Sequence, residues 1–177
     1  MILTFGTTAR HNELLCTFFA SILEKRKKNQ LRAFQEQCSL VYWGERNILQ
    51  DVALVDICSL KCVKNFVENI IYDLSVIQPD FLVFQNNKYL TNERETRFAG
   101  IPDLIVEVWS ESNTEQEIDF RHKLYAKSGT EHWYLTQDSN IVNCWLGEKQ
   151  LSEQSLTQIL ITQTGLEFDL RYLAIKK

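Results

Sequence analysis

Proline is nearly absent from this chain, with two in 177 residues. Both stand in the same setting: Pro79-Asp80 runs into Phe-Leu-Val-Phe, and Pro102-Asp103 into Leu-Ile-Val-Glu-Val-Trp. Glycine is also scarce, six in all and scattered, which excludes a glycine-rich phosphate loop and a dinucleotide-binding fingerprint. The five cysteines (Cys16, Cys38, Cys58, Cys62, Cys144) show no Cys-x-x-Cys spacing, and Cys58 and Cys62 have no histidine nearby to complete a zinc site. They read as reduced thiols acting as small buried apolar groups in a cytosolic protein. The three histidines, His11, His122 and His132, are not paired at metal-ligand spacing, and no serine sits on a nucleophile-elbow pattern. No apolar run reaches membrane length, and the N-terminus lacks the basic-then-apolar pattern of a leader. A cytoplasmic protein without a membrane partner is expected. An excess of positive charge is missing too. A net charge of −4 argues against an indiscriminate electrostatic grip on nucleic acid, leaving room for a local basic groove or a metal-bridged phosphate contact.

What is present suits one domain over residues 1–177: 45% hydrophobic residues are enough for a core at this length. Residues 9–28 read as an amphipathic helix, with Leu14, Leu15, Phe18, Phe19, Ile22 and Leu23 at helical spacing and Thr8 as its cap. The basic run Lys25–Lys28 suits the negative end of that helix and reads as a solvated terminus. A strand is expected over 31–43, while 47–75 carries no assignable pattern. Residues 80–84 and 103–109 read as buried strands, and the polar stretch between them is long for a connection, the mark of a functional loop. A helix follows over 114–128, opened by Asn113 with Gln116 three residues on and stopped by Gly129. Strands at 132–136 and 141–146, an element near 156–162 and a last one near 166–174 complete the chain.

The chemistry rests on acidic residues within apolar strands. Glu107, inside Leu-Ile-Val-Glu-Val-Trp, is expensive to bury unless it meets a metal, a cation or a hydrogen-bond donor. The run "IPDLIVEVWSESNT…KLYAKSGTEHWYL", preceded by "IQPDFLVF", resembles the Uma-two type restriction endonucleases of the PD-(D/E)XK nuclease superfamily. His11-Asn12 opening the first helix and the closing "GLEFDL" are similar to that family as well. The likeness is strongest over 78–135 and weak over 44–75. It implies an α/β (α+β) fold, a restriction-endonuclease-like mixed sheet flanked by helices. An Asp and a Glu on adjacent strands would hold Mg2+ (or Mn2+), whose bound water attacks a DNA phosphodiester.

Asp103 and Glu107 share a strand face but stand about 13 Å apart, too far for one ion. If 80–84 and 103–109 pair antiparallel, as the family fold implies, with Phe84 opposite Asp103, then Asp80 falls opposite Glu107. Their Cβ atoms would be roughly 5 Å apart. A parallel pairing would set Asp80 beside Asp103 instead. The antiparallel case makes Asp80 and Glu107 the metal ligands and Asp103 a structural residue at the strand start. Many members of the superfamily carry a lysine two residues after the Glu, where this chain has Trp109. In the resembling family the lysine stands on the next helix, four residues before the Tyr of Tyr-x-x-x-Gly, and counting back from Tyr125 lands on Arg121. Helical geometry agrees, since Ile118, Arg121, His122 and Tyr125 share one face and Lys123 points away. A slip of two residues would bring in Lys123.

Arginine holds a phosphate and a charge but does not readily release a proton. Two readings therefore stand. One is a metal-dependent DNA endonuclease using Asp80, Glu107 and a cation at Arg121 or Lys123; the other is a catalytically inactive nuclease-fold module that binds DNA or protein. Cutting both strands would call for a homodimer. Glu13 on the first helix is a candidate additional acid, and His122 a satisfied core histidine. Glu131 matches the family's Glu before Tyr-Trp, with one residue fewer between it and Gly129, while His132 replaces the Tyr and Thr136 stands where the family often has Asp. These departures read as lying near the edge of the fold, and Trp133 as core.

Overall fold

The computed structural model describes residues 8–27, 31–35, 39–43, 74–85, 89–91, 97–100 and 102–176. Helix α1 (Ala9–Lys27) opens as expected. The Thr8 hydroxyl accepts the His11 N–H at 3.2 Å, satisfying one of the donors a helix start leaves open. Leu14, Leu15, Phe18 and Ile22 recur along one side and are fully buried. The basic run at 25–28 lies outside the residues whose side chains are described.

The strand expected at 31–43 is two, β1 (Leu31–Gln35) and β2 (Ser39–Trp43). β1 pairs with β4 (Phe81–Gln85), whereas β2 pairs with β3 (Leu74–Ile77) and, in parallel, with β6 (Arg97–Gly100). Alternating apolar residues mark extended chain but not the point where it leaves one sheet for another, which is why the pattern read as continuous. The polar connection after β4 is likewise not a long loop, because it contains β5 (Tyr89–Thr91) paired antiparallel with β6. The rest of 44–75 before β3 lies outside the described residues.

The main sheet has the order β1-β4-β7-β8-β9-β10, where β7 is Leu104–Trp109, β8 Glu131–Thr136, β9 Ile141–Leu146 and β10 Lys149–Gln150; β11 (Gln154–Ser155) also pairs with β9. β7 and β8 run parallel, joined by helix α2 (Glu115–Ser128), and the remaining pairings are antiparallel. β8 is an interior strand, so Glu131 and His132 are not at the edge of the fold: both are buried, and Thr136 alone is exposed. The tail forms a ribbon of β12 (Ile159–Ile161) and β13 (Glu167–Asp169), then a 3-10 turn at Arg171–Leu173.

β7 is buried on both faces, which explains its unbroken apolar run. On one face Val106 and Val108 join Phe81, Val83, Trp133 and Leu135 beneath α1 and the tail. On the other, Ile105 and Trp109 join Leu82, Phe84 and Tyr134 beneath Leu124 and Tyr125 of α2. Glu107 belongs to this second face by alternation. Cys144 is buried as expected, whereas Cys16 is exposed on α1; Cys38, Cys58 and Cys62 lie outside the described residues. Among the described residues no helix is long and apolar enough to cross a membrane.

The start of α2 corrects one expectation. Its cap is Thr114, not Asn113: Thr114 is extended at ψ 150 and its hydroxyl accepts the Glu117 N–H. Asn113 is occupied one step earlier, where its side-chain oxygen accepts the Ser110 N–H at 2.8 Å. The stop is Gly129, in the left-handed region at φ 73, as its position implied. Thr114→Ala is expected to lower stability by about 1 kcal/mol, the usual scale for an N-cap. Urea denaturation would read this as a lower midpoint at unchanged slope.

Candidate active site

The antiparallel register of β4 and β7 builds the site. Phe81 faces Val106, Leu82 faces Ile105 and Val83 faces Leu104. One further step sets Asp80 opposite Glu107, the pairing expected from the two Pro-Asp segments. At the other end, Asp103 is spent on backbone. Its N–H donates to the Val83 carbonyl at 2.8 Å and its carboxylate accepts the Gln85 N–H at 2.6 Å. The two Pro-Asp pairs therefore sit at opposite ends of one strand pairing, with different occupations.

Glu107 is 2% exposed. A carboxylate so placed needs donors, and α2 supplies two. The Tyr125 hydroxyl and the Arg121 guanidinium both donate to Oε1, the latter from Nη1 at 2.8 Å. Residues 121 and 125 are one helical turn apart, so both reach the same strand position. Burial, and then the facing Asp80 carboxylate, push the Glu107 carboxyl up to about 7 against the pull of Arg121 and Tyr125. Burial alone would lower Arg121, but the Glu107 carboxylate, with Tyr125, more than offsets it and keeps the guanidinium protonated. The pair is lopsided: the cation is secured, while the anion still suffers from burial and from its acidic neighbour.

Asp80 lies at the bend just before β4. Its Oδ2 accepts the Val108 N–H at 2.8 Å, and its Oδ1 stands 3.5 Å from Nε2 of His11, a buried residue of α1. Arg121 reaches further than Glu107. Nη1 also donates to the Gln78 carbonyl at 3.1 Å, Nη2 lies 3.4 Å from Glu117 Oε1, and Cζ sits 5.9 Å from the centre of the Trp109 ring. Trp109 in turn stacks on Tyr134 at 5.7 Å.

Lys123 is not brought to the site. It is exposed and donates to Asp119 at 2.6 Å, on the far side of the helix. Glu13 is also exposed on α1, and the α1 residue that faces Asp80 is His11. His122 is half-buried in a second polar cluster. His132 donates Nδ1–H to the Thr130 carbonyl at 2.9 Å, so its Nε2 is the acceptor facing His122 Nδ1 at 3.3 Å. Burial pushes His132 down to about 4, which keeps that ring neutral. Both rings pack on Trp145 and help seat α2 on the sheet. Glu131 is also structural, since its two oxygens accept Trp133 Nε1–H and the Gln163 N–H, each at 2.8 Å.

Sequence reasoning missed the Tyr125 hydroxyl, the Gln78 carbonyl and the seat that Trp109 gives Arg121. The one-turn spacing of Arg121 and Tyr125 on the inward face of α2 was the available signal for the first. A backbone carbonyl leaves no such trace.

Among the described residues no three His, Cys, Asp or Glu side chains form a group that could hold a metal ion. The donor chemistry nevertheless fits a hard divalent cation, which needs only one or two carboxylates when water and phosphate complete its shell. In each carboxylate one oxygen is held by protein donors, Asp80 Oδ2 by Val108 and Glu107 Oε1 by Arg121 and Tyr125.

Comparison with known proteins bears on the family and the fold. The family described as "Uma2: Putative restriction endonuclease" matches the chain over residues 2–174. The fold is similar to the crystal structure of a protein from Anabaena variabilis described as a putative nuclease. That similarity has a TM-score of 0.64 and 14% identity, over 96% of this chain and 84% of that one. No curated protein sequence matches.

Proposed function

Since the chain belongs to the Uma2 family, whose description reads "Putative restriction endonuclease", we propose that it is a divalent-metal-dependent endonuclease that hydrolyses DNA phosphodiester bonds at Asp80 and Glu107. The observation that carries this reading is the β4–β7 register, which sets two carboxylates side by side from adjacent strands. Glu107 is buried although the strand around it is wholly apolar. A fold tolerates such a pair of acids poorly, and chemistry is a reason to keep it.

Asp80 and Glu107 would hold Mg2+ (or Mn2+), which when bound supplies a hydroxide-like water and neutralises charge on the phosphate. The chain's own residues prepare for this. The Val108 N–H holds one oxygen of the Asp80 carboxylate, with His11 Nε2 3.5 Å from the other, and Tyr125 and Arg121 hold the carboxylate of Glu107. Arg121 brings positive charge to the site but is a poor acceptor for the proton of the attacking water. The reading carries with it a cytoplasmic location, where Cys16 and Cys144 stay reduced. It also carries a homodimer wherever both strands are cut.

One observation favours a second reading, a nuclease-fold module that binds DNA or protein without cleaving. Arginine stands where the family motif has its helix lysine, and its guanidinium is committed to protein acceptors. Supercoiled plasmid separates the two. The enzyme is expected to nick it in Mg2+ or Mn2+ and not in chelator, and Asp80→Asn is expected to remove the activity. Retained DNA binding with no cleavage by the wild type or by Arg121→Lys would leave the module.

A further inference from the structure

Resting on the metal reading above, we infer that Arg121 is a built-in counter-cation that competes with the divalent ion for Glu107, so that the metal site is weak until the guanidinium lets go. The contacts of Arg121 are those of a residue fixed in place. It spans the Glu107 carboxylate and the Gln78 carbonyl with one nitrogen, leans on Glu117 with another, and lies over Trp109. Gln78 is two residues before Asp80, so the guanidinium bridges the chain entering β4 to the acid on β7. It thereby lies across the two segments that a divalent ion would have to join. Its side chain is 21% exposed, against 3% for Glu107, so it also covers the acid from solvent.

A positive charge already bonded to one of two carboxylates acts on an incoming cation in two ways. It repels the ion, and it holds an oxygen in a hydrogen bond that the ion must share or displace. Lysine in this position would behave differently. Its ammonium is one flexible point charge, without the planar fork that lets arginine serve several acceptors at once and lie flat on an indole. An arginine-for-lysine exchange here therefore changes how firmly Glu107 is held, even though the formal charge is the same.

The experiment is a titration of the folded, full-length protein with Mn2+ alone, followed by the rise in melting temperature. Wild type, Arg121→Lys and Arg121→Gln are compared, with Glu107→Gln/Arg121→Lys as the control without a ligand pair. The half-maximal Mn2+ concentration is expected to fall on the order of tenfold or more in both single variants, the scale of one charge-assisted hydrogen bond. The control is expected to stay flat. Because each variant is judged by its own rise with metal, a change in its starting stability does not blur the outcome, and Arg121→Lys keeps the charge should Arg121→Gln fold poorly. A wild type that responds at the same or lower Mn2+ than both variants would overturn the competition while leaving the metal site standing. No response in any of them would remove the metal reading itself.

Discussion

Glu107→Gln is expected to do two opposite things: abolish cleavage and stabilise the fold. Loss of activity should exceed roughly a thousandfold, because the substitution removes one of the two carboxylates proposed to hold the cation. The stabilisation follows from proton linkage. In the unfolded chain Glu107 ionises near its ordinary 4.5, whereas in the fold, burial and the Asp80 carboxylate hold its proton up to about 7. Between these values the unfolded chain binds fewer protons than the folded one, so stability contributed by the protonated form falls as pH rises and is fully lost above about 7. Glutamine has the shape of the protonated acid and nothing to lose. In chelator the two proteins should match at pH 4.5 and below. They should diverge as pH rises, until the variant is ahead by about 3 kcal/mol at pH 8. Urea titrations at several pH values would measure this. A variant less stable than wild type at pH 8 would mean that the Arg121–Glu107 pair outweighs the burial, and the account of Glu107 as a costly functional acid would fall. A residue whose removal stabilises the molecule and silences it is one kept for chemistry rather than for folding.

The parts of this site that were legible were those written in strand and helix periods. Two Pro-Asp dipeptides before apolar runs, taken with the antiparallel pairing that the family fold implied, led to the register that sets Asp80 beside Glu107. The helical period of α2 separated inward Arg121 from outward Lys123, and the observed contacts agree with that separation. What stayed hidden was carried by groups without a period. The Gln78 carbonyl is backbone, the approach of His11 to Asp80 depends on how α1 docks, and Trp109 looked like one more apolar strand residue. The cap of α2 was misread by one residue because Asn113 and Thr114 are both good capping types, and only the contact with Ser110 shows that Asn113 is engaged elsewhere. The second sheet was missed for a related reason. Its strands are only three to five residues long, too short for a period to show, and the two after β4 lie within a stretch of polar composition.

Phe168→Ala is expected to produce the largest loss of stability, about 3–5 kcal/mol. Phe168 lies on β13, in the tail, yet it is fully buried and its ring meets three others: Phe18 of α1 at 5.3 Å, Trp133 of β8 at 5.7 Å and Phe81 of β4 at 6.2 Å. It is the point where the last part of the chain closes over the first helix and the sheet, so the cavity left by truncation opens among elements that cannot all collapse inward together. Phe168→Leu, which keeps most of the volume, should cost much less. Ile161→Ala is the control: on the neighbouring strand β12 and 49% exposed, it should change stability by no more than about 0.5 kcal/mol. Urea midpoints of the three variants would settle the order, and a Phe168→Ala loss below that of Phe168→Leu would deny the tail this role. The consequence reaches the site. Phe81 follows Asp80 directly and packs on both Phe18 and Phe168, while α1 carries His11 to the Asp80 carboxylate. The three rings thus tie α1 and the start of β4 to the tail, and a loosened tail is expected to be felt at the carboxylate pair.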